Sequence, residues 1–340
     1  MTRVEKPTAE TLSLAAELIR KGEVVAFPTE TVYGLGASAC DPDAIRKIFA
    51  AKGRPQDNPL IVHISSIEDI RKVIKGDMPL HAQKLAEAFW PGPLTMILPK
   101  GDSISDVCTA GLDSVGVRLP ENECAKAFIR ACGVPIAAPS ANLSGKPSPT
   151  TAQHVFNDMY GRIPLILDGG PAGVGLESTV LDARFQPVRI LRPGGVTPEM
   201  IASVLGEVEV DGSVLRPLKQ NEVARSPGMK YKHYAPQGSL IIVKGSEENV
   251  AKKICELYDA QEGSKCILAL EEHLPLYGTR FCANLGKGPE EAAHSLFGLL
   301  REMDEQKVDA IFSEAVETEG IGLAVMNRLG RAAAFHIIEV

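Results

Sequence analysis

The sequence predicts an α/β protein of two domains, each built on a β-sheet covered by helices, and three observations support this. The 340 residues exceed what one hydrophobic core usually serves. Short apolar runs alternate with helical patterns over residues 24–205 and again beyond residue 238. Between these stretches the periodicity is lost. The predicted organisation is a first domain at 1–211, a connector at 212–237 and a second domain at 238–340.

The first domain contains short apolar segments typical of strands. They are Val24–Phe27, Leu60–Ile64, Leu94–Leu98, Ser114–Arg118, Pro135–Ala138, Leu165–Leu167, Thr179–Leu181 and Val188–Leu191. The clearest helix follows Asp41, which suits the cap position, and Pro42, which suits the first turn. Ile45 and Ile48 then fall on one helical face. The helix is expected to end at Gly53.

The stretch from Asp211 to Gly238 is long and basic, with five Lys or Arg against two carboxylates and three prolines. A loop of this length is usually functional or a linker. Beyond it, strands and helices alternate again, which predicts a small parallel sheet wound on both faces. The predicted elements are strands Leu240–Val243, Cys266–Leu270, Ala310–Phe312 and Phe335–Ile338, with helices at about 247–259, 290–304 and 322–334. No Gly-x-Gly-x-x-Gly loop follows the first of these strands, so dinucleotide binding is not indicated.

Composition excludes several classes of protein. The net charge of −7 argues against a surface devoted to nucleic acid, although a local basic groove stays open. The seven cysteines never form Cys-x-x-Cys, and His-x-x-x-His and nucleophile-elbow patterns are missing, so neither a metal site nor a hydrolase triad is predicted. No apolar run approaches the roughly 20 residues of a membrane span, and the first residues carry no signal-peptide core. The expected location is cytoplasmic.

Four polar residues in two loops are the strongest chemical signal. Lys52 and Arg54 flank the glycine that ends the predicted helix, while Ser140 and Asn142 flank Ala141 in a second loop. Two cations and two neutral hydrogen-bonding groups suit a polyanion such as a triphosphate. Helix-end cations and turn-forming Ser and Asn are the structural alternative. That alternative accounts for Lys52 but not for Arg54 beyond the helix end.

Other loops also leave strands, where open α/β sheets place ligands. The loop 139–149 precedes a helix predicted to start with a Thr150-x-x-Gln153 capping box. The segment 28–36 is interpreted first as a structural turn. The glycine-rich stretch 168–179 lacks the ending of a Walker A loop. His63 lies in an apolar strand, where a lone histidine is more often structural than a metal ligand.

These segments resemble the Sua5/YrdC family of threonylcarbamoyl-AMP synthases over essentially the whole chain. The motifs that carry the resemblance, in family order, are Pro28-Thr29-Glu30-Thr31-x-Tyr33-Gly34-Leu35, Lys52-x-Arg54, Phe89-Trp90-Pro91-Gly92-Pro93-Leu94-Thr95, Val117-Arg118-Leu119-Pro120, Ser140-x-Asn142, Ser226-Pro227-Gly228-Met229 and His233-Tyr234-Ala235-Pro236. The last two resemble the two-domain Sua5 branch. The resemblance implies a twisted mixed sheet covered by helices, plus a smaller Rossmann-like parallel domain at the C-terminus.

The implied activity is that of a nucleotidyltransferase, which forms threonylcarbamoyl-AMP and pyrophosphate from L-threonine, bicarbonate and ATP for the tRNA modification t6A37. Residue by residue, the resemblance implies a catalytic tetrad of Lys52, Arg54, Ser140 and Asn142. It implies threonine contacts at Thr31, His63, Arg118, Ala138 and Ser178. It implies ATP contacts at Arg54, Asn58, Ser114, Ser140, Ser148, Arg192 and Ser226.

No protein metal site is implied, because Mg²⁺ would arrive on the ATP phosphates with water ligands. The expected downstream partner is a tRNA threonylcarbamoyl transferase of the TsaD/Kae1 type, and no stable nucleic-acid binding is required. The connector around 226–236 is expected to act as a lid over the nucleotide. Two alternatives stay open: an RNA- or ribosome-binding module without turnover, and a carbamoyl-adenylate enzyme that uses carbamoyl phosphate.

Overall fold

The protein was analysed as a computed structural model, which describes residues 1–216 and 234–340. The chain forms two compact units. Within the described residues, the first unit comprises Met1–Ser144 and Ser148–Val214, and the second comprises 145–147, 215–216 and 234–340. Most of the predicted connector, including Ser226 and most of the proposed lid, lies outside the described residues. The predicted boundaries at residues 211 and 238 therefore stay predictions.

The first unit is an α/β structure whose strands are short. Its strands are β1 Arg3–Glu5, β2 Val25–Phe27, β3 Gly34–Ser38, β4 Ile61–His63, β5 Leu94–Pro99, β6 Ser114–Arg118, β7 Ile136–Ala137, β8 Leu165–Leu167, β9 Thr179–Asp182, β10 Arg189–Arg192 and β11 Glu209–Val210. Its helices are α1 Ala9–Arg20, α2 Pro42–Lys52, α3 Leu80–Phe89, α4 Asp106–Thr109, α5 Glu123–Cys132, α6 Ala152–Met159 and α7 Pro198–Leu205, with a 3₁₀ helix at Ile67–Lys72.

Among the described residues these strands form one eleven-stranded sheet in the order β1-β8-β2-β3-β7-β4-β6-β5-β9-β10-β11. The sheet is mixed: β4 and β6 run parallel, whereas β7 is antiparallel to both β3 and β4. In the β4–β6 pair, His63 lies directly opposite Arg118. The pairing thus places two predicted site residues side by side where two parallel strands end.

Helices cover both faces of this sheet. On one face, α1 and α5 pack on Phe27, Ile136 and Leu165 through buried residues such as Ile19 and Phe128. On the other face, a larger apolar cluster joins the sheet to residues of α2, α3, α6 and α7. The core therefore lies in two layers on either side of the strands.

The prediction for α2 is confirmed. The helix runs over Pro42–Lys52, Asp41 accepts hydrogen bonds from the backbone N–H groups of residues 43 and 44, and Gly53 adopts φ of 62° in the left-handed region. The predicted start of α6 is wrong by one residue. Thr151, not Thr150, is its N-cap and accepts from the backbone N–H of His154, so the box with Gln153 does not form.

The segment 28–36 is not entirely a turn, because Gly34–Ser38 forms strand β3. Glycine is required at Gly36, where an added Cβ would lie 2.8 Å from Ile136 and 2.9 Å from the ring of Phe27. The small residues of β3 therefore allow the neighbouring aromatic ring to pack against the strand backbone.

The second unit is a smaller parallel α/β structure. Its strands are β12 Ser239–Lys244, β13 Lys265–Ala269, β14 Cys282–Asn284, β15 Ala310–Glu314 and β16 Ile337–Glu339, and its helices are α8 Glu247–Ala260, α9 Pro289–Glu305 and α10 Gly322–Ala332, with a 3₁₀ helix at Glu271–Tyr277. In the described residues the strand order is β14-β13-β15-β12-β16, and every pairing is parallel. The predicted fold class is confirmed for both units.

The last strand begins later than the predicted Phe335. Ala334 and Phe335 adopt φ of 49° and 60°, in the left-handed region that a strand excludes. The chain turns at these residues, and β16 starts at Ile337.

The connection between β10 and α7 leaves no room for a side chain at Gly194. An added Cβ would lie 2.3 Å from the Thr179 backbone nitrogen and 2.6 Å from the Glu177 carbonyl oxygen. We expect Gly194→Ala to lower the free energy of unfolding of the first unit by roughly 1–3 kcal/mol, because backbone atoms have to move. Denaturant unfolding followed by circular dichroism measures this change.

Gly173→Ala is the matched control in the same unit. Gly173 is exposed, and among the described residues the nearest atom to an added Cβ would be the Glu30 carbonyl oxygen at 3.9 Å, a normal contact. This variant should stay within about 0.5 kcal/mol of the parent. Equal stability of the two variants would contradict the packing argument.

Candidate functional site

Two sequence motifs meet where strand β3 begins and strand β7 ends, in the middle of the first sheet. The Leu35 backbone N–H donates to the Pro139 carbonyl oxygen at 2.8 Å, and the Ala141 N–H donates to the Tyr33 carbonyl oxygen at 2.8 Å. Gly34 and Ser140 form an isolated antiparallel bridge. The loop that carries Ser140 and Asn142 is thereby fixed to the backbone that leads from Thr31 into β3.

The Lys52 ammonium lies inside this arrangement. The side chain is 3% exposed, and Nζ donates to the carbonyl oxygens of Ser140 at 2.5 Å and Asn142 at 2.7 Å. Its distance to Asn142 Oδ1 is 3.4 Å, and the Ser140 hydroxyl donates to the same oxygen at 2.5 Å. Three of the four predicted tetrad residues are therefore in direct contact. Lys52 is a buried cation, not the surface cation that a helix end usually carries.

Arg54, the fourth residue, lies just beyond the helix end. It is 9% exposed, its Nη2 donates to the Asn58 carbonyl oxygen at 3.4 Å, and its guanidinium lies 5.9 Å from the centroid of the Phe49 ring. The side-chain amide of Asn58 is buried, and neither its oxygen nor its nitrogen has a hydrogen-bond partner within the part of the chain that the structure describes. Arg54 and Asn58, both predicted for ATP, therefore lie together.

Arg118 ends β6 with a buried guanidinium. Its Nη1 donates to the Thr31 hydroxyl at 2.9 Å, its Nη2 to the Glu30 carboxylate at 2.5 Å, and its Nε to the Gly92 carbonyl oxygen at 3.3 Å. Both side chains of the ion pair are buried, with exposures of 4% for Arg118 and 11% for Glu30. These contacts hold Arg118 in one orientation beside Thr31. Both residues are predicted to contact the substrate L-threonine.

His63 is held neutral by its surroundings. Complete burial, and then the charge of Arg118, lower the pKa of His63 to about 3. Its ring lies edge-on to Phe27 at a centroid distance of 6.0 Å. His63 Nδ1 is buried without a hydrogen-bond partner among the described residues. The site thus presents an uncharged imidazole next to a guanidinium.

Arg192 and Ser178 are in contact, and they are predicted to bind different substrates. Arg192 Nε and Nη2 donate to the Ser178 carbonyl oxygen at 3.1 and 2.9 Å, and Nη2 lies 3.1 Å from the Ser178 hydroxyl. The hydroxyls of Ser178 and Thr95 are 2.8 Å apart. Ser178, predicted for threonine, and Arg192, predicted for ATP, therefore touch.

The remaining predicted residues are more dispersed. The Ser148 hydroxyl donates to Glu177 Oε1 at 2.5 Å. Ala138 is buried, and its backbone N–H donates to the Ile61 carbonyl oxygen at 2.8 Å. Ser114 begins β6, so it lies roughly 13 Å along the strand from Arg118 at the other end. The roles of all these residues in binding stay predictions.

The sequence motifs did not single out two carboxylates that the structure places at this site. Glu30 pairs with Arg118, which is 88 residues away, and Glu177 pairs with Ser148, which is 29 residues away. Glu30 lies within a motif quoted for the family resemblance, and that position was the available signal. Its partner could not be read from the sequence, because the contact depends on the pairing of distant strands.

Chemically, the described part of the site offers cations and aimed hydrogen-bond donors. Lys52, Arg54 and Arg192 supply positive charge, and Arg118 supplies a guanidinium suited to a carboxylate. Within residues 1–216 and 234–340, no group of three or more His, Cys, Asp or Glu side chains is arranged to hold a metal ion. Such a site suits the binding of a phosphate group beside a carboxylate.

Comparison with known proteins identifies the family. The Sua5/YciO/YrdC family model, which carries the description "Telomere recombination", matches residues 17–194. The model described as "Threonylcarbamoyl-AMP synthase, C-terminal domain" matches residues 196–334. The chain belongs to the Sua5/YrdC family. Within that family, the second match corresponds to the two-domain branch.

Curated relatives match over nearly the full length. The chain is 49% identical to the threonylcarbamoyl-AMP synthase of Pyrococcus abyssi, with 97% of this chain and 96% of the relative covered. It is also 49% identical to the enzyme of that name in Bacillus subtilis, with 96% and 94% covered. The relative in Schizosaccharomyces pombe is 40% identical, with 98% and 91% covered.

Solved structures give the same family assignment. The crystal structure of P. abyssi Sua5 complexed with L-threonine has a TM-score of 0.93 and 46% identity, and the match covers 100% of this chain and 99% of that chain. E. coli YciO, at 22% identity, matches 57% of this chain and 96% of its own length with a TM-score of 0.51, which shows a common fold. No helix in the described ranges is both long and apolar enough to cross a membrane.

The neutral state of His63 leads to a pH prediction. An unfolded histidine takes up its proton near pH 6.5, whereas the folded His63 takes one up only near pH 3, so acid favours the unfolded state. The contribution of His63 to the free energy of unfolding is fully present above about pH 6.5 and is lost as the pH falls toward 3. Between about pH 7.5 and 5, the parent should lose about 2 kcal/mol more than His63→Asn, which cannot titrate.

Denaturant unfolding of both proteins at the two pH values measures this difference. Other titrating groups contribute equally to both proteins and cancel in the comparison. An equal acid loss in the parent and the variant would show that folded His63 titrates normally.

Proposed function

We propose that this chain is an L-threonylcarbamoyladenylate synthase, which makes threonylcarbamoyl-AMP and pyrophosphate from L-threonine, bicarbonate and ATP. The observation that carries the proposal is the buried guanidinium of Arg118 between Thr31 and Glu30, beside the neutral His63. A guanidinium fixed in this way is suited to the carboxylate of an amino acid. Thr31 and His63 then offer polar atoms to the side-chain hydroxyl of threonine.

The tetrad residues support the proposal that this site binds a nucleotide. Lys52, which contacts Ser140 and Asn142, and Arg54, two residues further along the chain, are two buried cations. This is the equipment for stabilising charge on a phosphate group as it develops in the transition state. Arg192 adds a third cation and, through Ser178, links it to the threonine half.

The proposed reaction has two steps. The threonine amine combines with bicarbonate to give a carbamate and water. A carbamate oxygen then attacks the α-phosphorus of ATP, a new P–O bond forms, and the bond to the leaving pyrophosphate breaks. Both steps require alignment and charge stabilisation and need no protein nucleophile.

We propose that Mg²⁺ accompanies the ATP phosphates. Mg²⁺ is commonly held by substrate phosphates and water with few protein ligands, which agrees with a donor set of cations, hydroxyls and an amide at the tetrad. When bound, the ion would offset negative charge on the phosphates. Within the tetrad, Ser140 and Asn142 carry the neutral side-chain oxygen atoms that would hold such an ion or its water ligands.

The product is an activated acyl adenylate and has to be consumed by a transferase. We propose a tRNA threonylcarbamoyl transferase of the TsaD/Kae1 type as that partner, and a cytoplasmic location, since ATP and the acceptor tRNA are found there. The tRNA t6A modification would then be the purpose of the reaction. Stable tRNA binding by this chain is not required.

The test is a product assay by mass spectrometry with the purified full chain. ATP, L-threonine and bicarbonate together should give threonylcarbamoyl-AMP and pyrophosphate, and omission of any one should abolish both. Equal pyrophosphate release without threonine would overturn the proposal. Turnover with carbamoyl phosphate instead would favour a carbamoyl-adenylate enzyme, and RNA binding without any turnover would favour an RNA-binding module.

Another prediction concerns Lys52 and Arg54, the two cations of the tetrad. We expect Lys52→Met and Arg54→Met each to lower turnover by about 10²–10³-fold, the loss seen when one fixed electrostatic donor is removed. Lys52→Met should also destabilise the first unit by roughly 1–3 kcal/mol, since the buried carbonyl oxygens of Ser140 and Asn142 lose a donor. Steady-state kinetics and unfolding measure the two effects.

Lys47→Met is the matched control for these variants. Lys47 lies in the same helix α2 but is exposed and pairs with Glu23 on the surface. Its removal should leave turnover unchanged and cost below about 1 kcal/mol of stability. A similar loss of turnover in all three variants would mean that the tetrad cations have no special role.

A further inference from the structure

Glu30 is a largely buried carboxylate whose two oxygen atoms differ in their contacts. Oε1 accepts from Arg118 Nη2, whereas Oε2 is buried and has no hydrogen-bond partner among the described residues. Proteins rarely leave a buried polar atom unpaired, and an ionised oxygen is the most costly case. The free oxygen of Glu30 therefore points to a donor that arrives with a ligand.

The position of this oxygen limits what the donor is. Arg118 is proposed to hold the carboxylate of threonine, and Glu30 lies on the same guanidinium. In an α-amino acid the ammonium is attached one carbon away from the carboxylate. A ligand whose carboxylate lies on Arg118 therefore carries its ammonium within reach of the side chains around that guanidinium, and Glu30 is the anion among them.

The charge balance around Arg118 also indicates that the donor to Glu30 is an ammonium group. Arg118 and Glu30 already neutralise each other, so a threonine carboxylate alone would leave one uncompensated negative charge in a buried site. The threonine ammonium restores neutrality if it lies beside the carboxylates. A cation at Glu30 Oε2 also supplies the hydrogen bond that the oxygen lacks.

We propose that Glu30 Oε2 receives the α-ammonium of L-threonine and takes one of its protons, which makes Glu30 the base for the formation of the carbamate. The proposal rests on the proposed function, because it assigns a role within the threonine half of that site. It makes Glu30 a catalytic residue, since it touches the reacting nitrogen.

The proton balance of the step is complete with bicarbonate as the second reactant. An N–H bond of the ammonium breaks, its proton moves to Glu30 Oε2, and its electron pair becomes the lone pair of the free amine. That lone pair forms the N–C bond to the bicarbonate carbon. A second N–H proton leaves with the bicarbonate hydroxyl as water, and the carbamate remains. Glu30 returns its proton to solvent after the product leaves.

The competing role is purely positional, with Glu30 acting only by holding Arg118. The two roles differ in what they do to a ligand without an ammonium. The probe is 2,3-dihydroxybutanoate with the stereochemistry of threonine, in which a hydroxyl replaces the α-amino group. It keeps the carboxylate that Arg118 binds and the side-chain hydroxyl.

The experiment measures calorimetric affinities of L-threonine and this hydroxy acid for the parent and for Glu30→Gln. The parent should bind threonine at least about tenfold more tightly than the hydroxy acid, and the variant should lose most of this preference. Glu30→Gln should also lower turnover by about 10²-fold or more, the scale of one general base. Equal losses of both ligands in the variant would overturn the proposal and leave Glu30 a positioning residue.

Controls separate the remaining outcomes. Glu177→Gln removes another buried carboxylate of this unit, which contacts Ser148, and should leave the preference for threonine over the hydroxy acid unchanged. If Glu30→Gln does not fold, the affinities of the parent protein still test the proposal. Equal binding of threonine and the hydroxy acid by the parent would also overturn it. A parent that prefers threonine but makes no threonylcarbamoyl-AMP would contradict the proposed function and leave the ammonium contact standing.

Discussion

Burial of the Lys52 ammonium is the constraint on which the candidate site depends. A buried cation is tolerated only when oxygen atoms surround it, and here the carbonyl groups of Ser140 and Asn142 do so. Those carbonyls are in position because their loop is bonded to residues 33–35 by backbone hydrogen bonds. The end of α2, the loop 140–142 and the start of β3 are therefore held together by one charged group.

The same requirement shapes the part of the site that is proposed to bind threonine. Arg118 is buried at the end of β6, where Glu30 supplies the compensating charge and Thr31 and Gly92 supply oxygen atoms. His63 lies opposite Arg118, and its burial, followed by the charge of that guanidinium, lowers the pKa of the imidazole and keeps it neutral. The two halves of the proposed site thus hold charge differently: Arg118 is compensated by Glu30, while Lys52, Arg54 and Arg192 supply the positive charge that is proposed to bind a polyanion.

Much of this architecture could be predicted from the sequence, because local signals were strong. Helix α2 was bounded by a capping Asp41 and a terminating Gly53, and the apolar runs marked most strands that the structure contains. Strand β3 was missed because its small residues have weak strand propensity, and only the approach of Phe27 and Ile136 explains its glycines. The pairing of Glu30 with Arg118 could not be predicted, since it follows from sheet order and not from spacing.

Several residues predicted to contact the substrates, or next to such residues, carry buried polar atoms that lack partners. Within the described residues, Glu30 Oε2, both amide atoms of Asn58 and His63 Nδ1 are such atoms, and all three residues lie at or beside predicted substrate contacts. Each unpaired atom costs roughly 1–3 kcal/mol in the free protein. A ligand that pairs with them recovers that free energy on binding. If the proposed substrate contacts form, we expect substrate binding to raise the stability of the first unit, because partners for these atoms add to the binding free energy.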